Sequence, residues 1–471
     1  MCSAKTNTKS PIESSPDHDE IFSGAVAVAQ TLAAKGFEAY FVGGCVRDLL
    51  LQQPSHDIDI ATDASAKEVA KIFSRSVIIQ PREAYGVTIV KHFGHIYEVA
   101  TFRQDIGSDG RRPKKIIPAN LEEDLWRRDF TINALAFNPI SNQLIDVTGG
   151  LEDINHRIIR FVGEPRLRIA EDRLRILRAI RFKNRFGFNY SPDTADAIIK
   201  AVKLGSLHDL AAERIFDECS RMLINPNRAN AIKDMQALGI LADILPEIDA
   251  CIGIEQPRKY HTEGDVFAHT LLVLDSLPKI CSVPLAWAGL LHDVGKPITF
   301  ETGLDGQIHF KGHAEAGVHI ASAVLKRLRM PKKMIDATLW LISKHMLFDN
   351  WSKMRQSTKL RYFQNPLFSD LVALLTADHN GSYFENEVVA KSASATFNDI
   401  VKQYKDYVKN AQTNPHPTLK DIGIDGRYLI DNYNIKPGPM VGHLIERLND
   451  AILEDEIHNL DEARELINKW L

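Results

Sequence analysis

The stretch FVGGCVRDLLLQQPSHDIDIATD, residues 41–63, decides the fold of the first part of the chain. It opens on an apolar run that predicts a buried strand, and this strand stops at Gly43 and Gly44. After a short helical segment, carboxylates and isoleucines alternate with the period of a second strand. We therefore expect Asp57 and Asp59 to lie side by side on one face of that strand, with the isoleucines turned toward the core.

A glycine turn followed by a carboxylate pair has a chemical meaning. Two neighbouring carboxylates repel each other unless a cation lies between them, and a hard divalent ion is the usual cation. A glycine turn at the start of a helix presents backbone N–H groups that bind phosphate oxygens. The pattern therefore predicts phosphoryl or nucleotidyl transfer. The alternative is an exposed Asp-x-Asp in a solvated turn, but the downstream motifs favour the first interpretation.

The composition excludes several classes of protein. The chain has 471 residues, of which 44% are hydrophobic and 25% charged, and this is typical of a globular protein of about three domains. No apolar run reaches the roughly 20 residues that span a bilayer, so we expect no membrane association. The first residues carry no secretory or transit signal and predict a disordered tail, residues 1–18. The five cysteines are scattered without a Cys-x-x-Cys pair, which indicates a cytoplasmic location.

A third carboxylate is expected near the first two. Residues 87–90 and 96–102 predict a pair of strands, and Glu98 lies on the alternate face from Val99. A carboxylate at this position would complete a metal site of the polymerase kind. The alternative is that Glu98 is an ordinary exposed strand residue. The polar stretch 103–115 is predicted to be a mobile loop beside this site.

Residues 121–133 predict a helix that carries charged groups suited to a nucleotide. Arg127 and Arg128 are candidates for the triphosphate, and Asp129 is a candidate for the ribose. A surface helix with ion pairs is the alternative.

Residues 171–182 predict a strong amphipathic helix on which Asp172 lies one turn from Arg175. An aspartate and an arginine held together present a hydrogen-bond acceptor beside a donor. C and A both offer an exocyclic amine to the carboxylate and a ring nitrogen to the guanidinium, whereas U and G present a carbonyl in place of the amine. The pair would therefore select C and A. The alternative is an ordinary helix ion pair.

The net charge of the chain is −4, but one stretch is strongly basic. From Arg157 to Arg185 there are ten Lys or Arg residues against three Asp or Glu residues. Because this stretch adjoins the predicted nucleotide site, we expect it to bind the phosphate backbone of RNA. A solvated basic surface is the alternative.

Histidines are concentrated in the second half of the chain, where residues 261–379 hold eight of the 17 histidines. Several lie on successive predicted helices and, with two aspartates, indicate a buried site for a first-row metal. Ordinary core histidines are the alternative. The candidate ligands are His269, His292, Asp293, His313, His345 and Asp378. The remaining histidines are expected at the surface or behind the ligands: His261, His309, His319 and His379.

These motifs resemble those of a known family. The segments GGCVRDLLL, DIDIATDA, RRDFTINALAF, EDRLRILRAIRF and AAERIFDE are similar to motifs of class II tRNA nucleotidyltransferases and bacterial poly(A) polymerases. Residues 261–379 resemble an HD-type metal phosphohydrolase domain. The resemblance implies an α+β fold, with a small mixed-sheet nucleotidyltransferase head, an all-α neck, an HD-type helical domain and a helical tail. The expected segments are the disordered tail at 1–18, the head at 19–150, the neck with the nucleotide template and RNA-binding region at 151–250, the HD-type domain at 251–385 and the C-terminal tail, a tRNA contact, at 386–471.

The resemblance also implies roles for single residues. Asp57 and Asp59 would bind two magnesium ions, which activate the RNA 3′ hydroxyl and steady the triphosphate and departing pyrophosphate, and Glu98 would assist them. Asp172 and Arg175 would be the protein template that selects CTP and then ATP. The implied nucleotide-binding residues are Gly43, Gly44, Arg47, Arg128, Asp129, Asn133, Asp172, Arg175 and Arg178. The implied RNA-binding residues are Arg157, Arg160, Arg181, Lys183 and Arg185.

For the HD-type domain, the resemblance implies a divalent transition metal whose identity the sequence does not indicate. Its ligands would be His269, His292, Asp293 and Asp378, and a second metal would use His313 and His345. The expected chemistry is phosphoester hydrolysis, on damaged or cyclic-phosphate RNA ends. A metal-free domain that serves as a tRNA-binding body is the alternative.

The function implied by the resemblance is template-independent addition of the 3′-terminal CCA to the tRNA acceptor end, from CTP and ATP, with release of pyrophosphate. An A-adding tRNA nucleotidyltransferase and a poly(A) polymerase are the alternatives. The loop 103–115 argues against CC-only addition, because CC-adding members of the family lack such a loop. The chain also lacks the basic extensions common in poly(A) polymerases. The sequence predicts no oligomeric state.

Overall fold

The computed structural model describes residues 16–471, apart from positions 56, 75–76, 79–85, 111–112, 208, 258, 260, 305, 386 and 414–417. The chain divides into two compact units. The first comprises the residues up to Met222 together with Asn230–Ile244, and the second comprises Leu223–Ala229 together with Leu245–Leu471. The predicted domain boundaries stay predictions.

The strands of the described residues are short. In chain order they are β1 (Ala39–Val42), β2 (Asp59–Thr62), β3 (Val77–Ile78), β4 (Val87–His92), β5 (His95–Thr101), β6 (Arg103–Ser108), β7 (Pro113–Pro118), β8 (Leu135–Asn138), β9 (Gln143–Asp146), β10 (Ile158–Ile159), β11 (Asn189–Tyr190), β12 (Glu301–Thr302) and β13 (Ile308–His309).

Helices make up most of the remaining structure. In chain order they are α1 (Pro16–Ala33), α2 (Gly44–Leu50), α3 (Ala66–Ile72), α4 (Leu121–Trp126), α5 (Gly150–His156), α6 (Pro165–Glu171), α7 (Arg175–Phe186), α8 (Pro192–Lys203), α9 (Ala212–Leu223), α10 (Arg228–Ala237), α11 (Leu241–Ile244), α12 (Pro246–Asp249), α13 (Val266–Ser276), α14 (Val283–Leu291), α15 (His313–Arg327), α16 (Lys332–Lys344), α17 (Gln356–Gln364), α18 (Phe368–Gly381), α19 (Glu387–Thr413), α20 (Gly426–Tyr433), α21 (Pro439–Leu453) and α22 (Leu460–Trp470). None of these described helices is both long enough and apolar enough to cross a membrane.

A mixed sheet in the first unit has the strand order β3-β4-β5-β2-β1-β8-β9. Strands β2 and β5 are parallel, and the other neighbours are antiparallel. Ile60 and Ala61, successive residues of β2, are both buried. Since successive side chains point to opposite faces of a sheet, both faces are covered at its centre. A small mixed sheet followed by helical regions confirms the α+β prediction.

The prediction that residues 103–115 form a mobile loop is wrong. Strands β6 and β7 form an antiparallel hairpin there, with Arg103 opposite Pro118 and Ser108 opposite Pro113. Positions 111–112 lie outside the described residues. A pattern of alternating apolar and polar residues does not predict this hairpin, because polar contacts hold it in place. One of them is the hydroxyl of Ser108, which donates to the carbonyl of Glu171 at 2.5 Å.

Two predicted helices are shorter than expected. Helix α4 ends at Trp126, so Arg127, Arg128 and Asp129 follow it in a turn. The helix predicted over 171–182 is interrupted, because Asp172 adopts an extended conformation between α6 and α7. The carboxylate of Asp172 then accepts a hydrogen bond from the backbone N–H of Leu174 at 3.1 Å. A short acidic side chain competes with the helix in this way.

Among the described residues of the second unit, the regular structure is helical apart from the small β12–β13 hairpin. Arg228, which is 1% exposed, closes the end of α13. Its guanidinium donates to the carbonyls of Leu274 and Leu277 at 3.2 and 3.1 Å and to that of Pro278 at 3.0 Å. These carbonyls have no partner within the helix, so the arginine satisfies them. Helices α20 to α22 enclose a separate apolar core around Leu429.

Candidate functional site

Three carboxylates meet on adjacent strands of the first unit. Asp59 and Glu98 are register partners on the parallel strands β2 and β5. Asp57 and Asp59 are exposed, while Ile58 between them is buried. The predicted alternation therefore holds, although β2 begins only at Asp59. The structure brings Asp57, Asp59 and Glu98 to one face of the sheet, as predicted.

The electrostatics of this cluster suit a cation. Although Asp59 keeps exposed surface, the protein around its carboxylate desolvates it, and the charges of Glu98 and Asp57 add to that effect. Together they raise the pKa of Asp59 to about 6, against the opposing charge of Arg128. Oxygen donors that repel one another are a fitting ligand set for a hard divalent ion such as magnesium.

The glycine turn faces an arginine. Gly43 has φ +77° and precedes α2. A Cβ on Gly43 would lie 2.7 Å from Nη1 of Arg128, so any side chain there would displace the guanidinium. The buried carboxylate of Asp124 holds this arginine, accepting from its Nη2 at 3.1 Å. The structure therefore places Arg128 between the glycine turn and the carboxylates.

Arg127 takes a different position from its neighbour. Its Nε and Nη2 donate to Asp124 at 3.0 and 2.7 Å, and Nε also donates to the carbonyl of Arg103 at 3.1 Å. The guanidinium therefore ties α4 to the hairpin. These contacts do not favour the suggestion that Arg127 binds the triphosphate.

The buried residues Asp129 and Asn133 form a polar cluster with the partly exposed Arg178. Oδ2 of Asp129 accepts from Nε and Nη2 of Arg178 at 2.8 and 2.5 Å, and Oδ1 accepts from the amide of Asn133 at 3.0 Å. Burial alone would raise the pKa of Asp129, but the charge of Arg178 and the hydrogen bond from Asn133 hold it well below its ordinary value. Three predicted nucleotide-binding residues therefore meet at one point.

Arg47 lies in the interior, 3% exposed. It forms an ion pair with Asp48 at 2.7 Å and a hydrogen bond with Asn133, and it packs over the rings of Phe182 and Phe186 at 5.1 and 4.6 Å. Its contact with the triphosphate stays a prediction. The structure assigns it a supporting position behind Asn133.

The predicted direct pairing of Asp172 with Arg175 is wrong. The carboxylate of Asp172 accepts hydrogen bonds from Nη1 and Nη2 of Arg214, at 3.0 and 2.7 Å. Arg175 instead donates to Glu171 at 2.7 Å, and also to the carbonyls of Arg168 and Arg127 at 2.8 and 3.1 Å. The extended backbone at Asp172 removes the one-turn relation on which the prediction rested. Arg214 lies in the AAERIFDE motif, which was the signal that could have identified it.

The basic stretch contains both paired and buried residues. Arg157 is exposed. Arg160 is also exposed, but its guanidinium donates three hydrogen bonds of 3.0–3.1 Å to Asp153. Arg181 is buried against Glu218 at 2.6 Å, so its position speaks against a contact with RNA. The two remaining predicted RNA-binding residues also form ion pairs, Lys183 with Asp234 at 2.7 Å and Arg185 with Asp48 at 3.2 Å.

In the second unit, the six predicted metal ligands converge. Oδ2 of Asp293 lies 3.6 Å from Nε2 of His269 and 3.2 Å from Nε2 of His292, and Oδ1 lies 3.6 Å from Nε2 of His313 and 3.8 Å from Nε2 of His345. Asp378 completes the first group, 3.1 Å from His269. Asp293 therefore stands between two ligand groups, as expected for a carboxylate shared by two ions.

The protonation state of His345 and the hydrogen bonds around Asp293 also fit a metal site. Burial lowers the pKa of His345 to about 4, which keeps its imidazole neutral, as a ligand must be. Lys296 is buried with its ammonium 2.7 Å from Asp293 and 2.7 Å from the amide oxygen of Gln256. Sequence reasoning missed Lys296, and it also missed Glu263, whose carboxylate lies 3.0 Å from Nδ1 of His269.

Family models match three parts of the chain. "Poly A polymerase head domain" matches residues 39–160, "Probable RNA and SrmB- binding site of polymerase A" matches residues 187–252, and "HD domain" matches residues 266–379. The first contains the carboxylate cluster, and the third contains the six converging ligands.

Known proteins resemble the chain over most of its length. A CCA-adding enzyme of Anoxybacillus flavithermus is 32% identical over 454 residues, which cover 96% of this chain and 97% of that protein. A CCA-adding enzyme of Lactobacillus delbrueckii subsp. bulgaricus is 44% identical over 275 residues, covering 57% and 68%. The crystal structure of the Bacillus stearothermophilus CCA-adding enzyme in complex with CTP has a TM-score of 0.66 and 25% identity, and covers 97% of this chain and 98% of that one.

Proposed function

The chain belongs to the family of CCA-adding enzymes, and we infer that it adds the 3′-terminal CCA to tRNA from CTP and ATP and releases pyrophosphate. One observation carries the chemistry: Asp57, Asp59 and Glu98 face one another beside Arg128. Binding alone gains nothing from carboxylates that repel each other, whereas metal-assisted nucleotidyl transfer requires them. A-only addition and poly(A) tailing are less favoured, because relatives matched over nearly their full length are CCA-adding enzymes.

Asp57 and Asp59 would hold two magnesium ions, with Glu98 assisting. Bound magnesium would supply Lewis-acid chemistry at the RNA 3′ hydroxyl and charge stabilisation at the triphosphate. The backbone of the Gly43-Gly44 turn and the guanidinium of Arg128 would bind the triphosphate oxygens. These donors are fixed before the nucleotide arrives, because Asp124 orients the arginine.

Two further groups of residues would recognise the nucleotide. Asp129, Asn133 and Arg178 would contact its sugar and base as one hydrogen-bonded unit. Asp172 and Arg175 would hydrogen-bond to the edge of the base. Arg214 holds Asp172, and Glu171 holds Arg175. The carboxylate would accept a hydrogen bond from the exocyclic amine of C or A, and the guanidinium would donate one to the ring nitrogen beside it. U and G present a carbonyl in place of the amine, so they would be rejected.

The tRNA acceptor end would bind along the exposed part of the basic stretch, with Arg157, Arg160 and Arg185 as contacts. Arg181 is not included, because it is buried against Glu218, and neither is Lys183, which is partly buried and paired with Asp234. This activity belongs in the cytoplasm, where the scattered thiols of the sequence stay reduced.

A second activity is favoured by the convergence of six ligands in the second unit. His269, His292, Asp293 and Asp378 would hold one divalent transition metal, and Asp293, His313 and His345 a second. Metals bound there would activate water for hydrolysis of a phosphoester, such as the phosphate end of a damaged RNA.

The test of CCA addition uses purified protein, magnesium and three tRNA transcripts, ending before CCA, after C and after CC. Each is offered CTP, ATP or both. We expect all three to be completed to the same CCA end. Extension of the CC-ended transcript alone would mean A-only addition, and a long ladder of A on any RNA would mean poly(A) tailing.

A further inference from the structure

Four histidines surround the proposed metal centre, and each presents Nε2 to it. Three of them bond their other ring nitrogen, Nδ1, to a backbone carbonyl of their own helix end or loop. His292 uses Gly289 at 3.0 Å, His313 uses Phe310 at 2.8 Å, and His345 uses Ile342 at 2.7 Å. A carbonyl only accepts hydrogen bonds, so Nδ1 carries the proton and the lone pair of Nε2 is left for an ion.

His269 differs from the other three, because its nearer Nδ1 partner is a carboxylate. Oε1 of Glu263 lies 3.0 Å from Nδ1 of His269, and the carbonyl of Gly381 lies farther away at 3.3 Å. On the other side of the ring, Nε2 lies 3.1 Å from Asp378 and 3.4 Å from Nε2 of His292. Ligand atoms each about 2.1 Å from one ion are separated by roughly this much.

The side chain of Glu263 is buried and held by hydrogen bonds to both carboxylate oxygens. Its side chain is 1% exposed. Oε1 also accepts from Nδ1 of His261 at 2.7 Å, and Oε2 accepts from the backbone N–H of Tyr383 at 2.9 Å. A buried carboxylate with these three donors cannot turn away from His269 without leaving them unpaired.

We propose that Glu263 is the positioning residue of this metal centre, orienting His269 and making its Nε2 a stronger ligand. The inference rests on the proposed metal site in the second unit. A carboxylate is a stronger acceptor than the carbonyls behind the other three histidines, and it increases the basicity of the imidazole it binds. Ligands supported in this way bind their ions more tightly than unsupported ones.

A merely structural role would look different. Thr262, the preceding residue, also joins this segment to Tyr383, donating from its N–H at 2.8 Å and from its hydroxyl at 3.0 Å to the Tyr383 carbonyl. Thr262→Val removes the hydroxyl contact and leaves the carboxylate in place. It is therefore the matched control for Glu263→Gln, whose amide group keeps the size of the side chain and removes the charge.

The experiment titrates cobalt(II) into the full-length, metal-stripped chain and follows the visible absorption of the bound ion. All variants carry Asp57→Ala and Asp59→Ala, so that the head contributes no cobalt site. For Glu263→Gln we expect affinity to fall about tenfold, the lower end of the usual 10–100-fold range, because Gly381 offers a weaker acceptor. For Thr262→Val we expect the affinity of the parent chain. Circular dichroism melting checks that each variant is folded.

Two results would overturn the inference. Parent-like cobalt affinity in Glu263→Gln would show that the carboxylate does not support the ligand. Absence of cobalt binding in the parent chain would remove the metal site itself, and with it the role of Glu263. If Glu263→Gln does not fold, Glu263→Asp decides: its carboxylate falls one methylene short of His269, and unchanged affinity there contradicts the proposal.

Discussion

Asp59 shares one face of the sheet with Asp57 and Glu98, and its raised pKa of about 6 has a cost. A carboxylate whose folded pKa lies above its unfolded value favours the fold only while protonated. The stabilisation is therefore lost as the pH rises from near 4 through 6, and at neutral pH the ionised group opposes the metal-free fold. The cluster is arranged for a cation at the expense of stability.

Asp59→Asn should separate the catalytic role of this carboxylate from its cost to stability. Loss of a metal ligand costs several kcal/mol in the transition state, so nucleotide incorporation should fall by roughly a thousandfold or more. Above pH 6, the melting temperature of the metal-free variant should instead be higher than that of the parent. The control is Asp63→Asn, an exposed carboxylate on the same stretch that bonds the backbone of Glu38. Incorporation at the parent rate in Asp59→Asn would refute the catalytic assignment.

Arg214 offers a second prediction, because it holds both oxygens of Asp172. Without it, the carboxylate can leave the orientation in which it accepts a base amine. Arg214→Gln should therefore reduce the discrimination of CTP and ATP against UTP and GTP by about tenfold, the worth of one charged hydrogen bond. The measurement is kcat/KM for each nucleotide on the same transcript.

The control for that prediction lies on the same helix. Arg221 forms an exposed ion pair with Asp217 at 3.0 Å, four residues apart, and Arg221→Gln should leave discrimination unchanged. Equal selectivity in the two variants would mean that Arg214 only stabilises the structure around α9.

Helix α4 shows how one short element positions the site. Asn120 and Glu123 form a reciprocal cap at its start, with hydrogen bonds of 2.9 and 3.0 Å. The helix then presents Asp124, which orients Arg128. An element of this length has little stability of its own, so the cap and the buried ion pair are what hold it.

Asn120→Ala should loosen that element. Removing a cap costs about 1 kcal/mol, so amide hydrogens of residues 121–128 should exchange roughly fivefold faster. Hydrogen-exchange mass spectrometry of the full chain measures this locally. Asn120→Asp keeps an acceptor at the cap and should restore the parent rate. An unchanged exchange rate in Asn120→Ala would assign the stability of α4 to its ion pairs alone.

How much of these elements could be predicted depends on the range of the interactions. The alternation in 57–60 is local, so it placed Asp57 and Asp59 on one face without any knowledge of the sheet. Their pairing with Glu98 needs the parallel contact of β2 and β5, which no local pattern encodes, and it was inferred only from chemistry. The hairpin at 103–118 was missed because its strands do not alternate apolar and polar residues.

The errors at Asp172 and Glu263 have a common physical origin. The spacing of Asp172 and Arg175 implies contact only if the helix is continuous, and a side-chain hydrogen bond to Leu174 breaks it. Glu263 lies outside any helix or strand, so no periodicity marks it. Its partners at 269 and 383 come together only through the packing of α13 and α18.

For the whole molecule, the two proposed chemistries should be separable by mutation. Asp57→Ala with Asp59→Ala should abolish nucleotide incorporation and leave metal bound to the second unit. His292→Ala with Asp293→Ala should remove that metal and leave CCA addition intact. Incorporation assays and elemental analysis of the same preparations provide both readouts, and each double variant is the control for the other. Loss of both properties in either variant would contradict their independence.

Arg228 lies in a short segment of the second unit that precedes part of the first unit in the chain. It belongs to Leu223–Ala229, which enters the second unit before the chain returns to the first at Asn230–Ile244. The polypeptide therefore passes between the units three times, at 222–223, 229–230 and 244–245. A fragment that begins at residue 251 would lack the donor for the carbonyls at the end of α13. Neither unit is one contiguous segment, so any single cut between residues 222 and 245 separates a part of at least one unit from the rest of it.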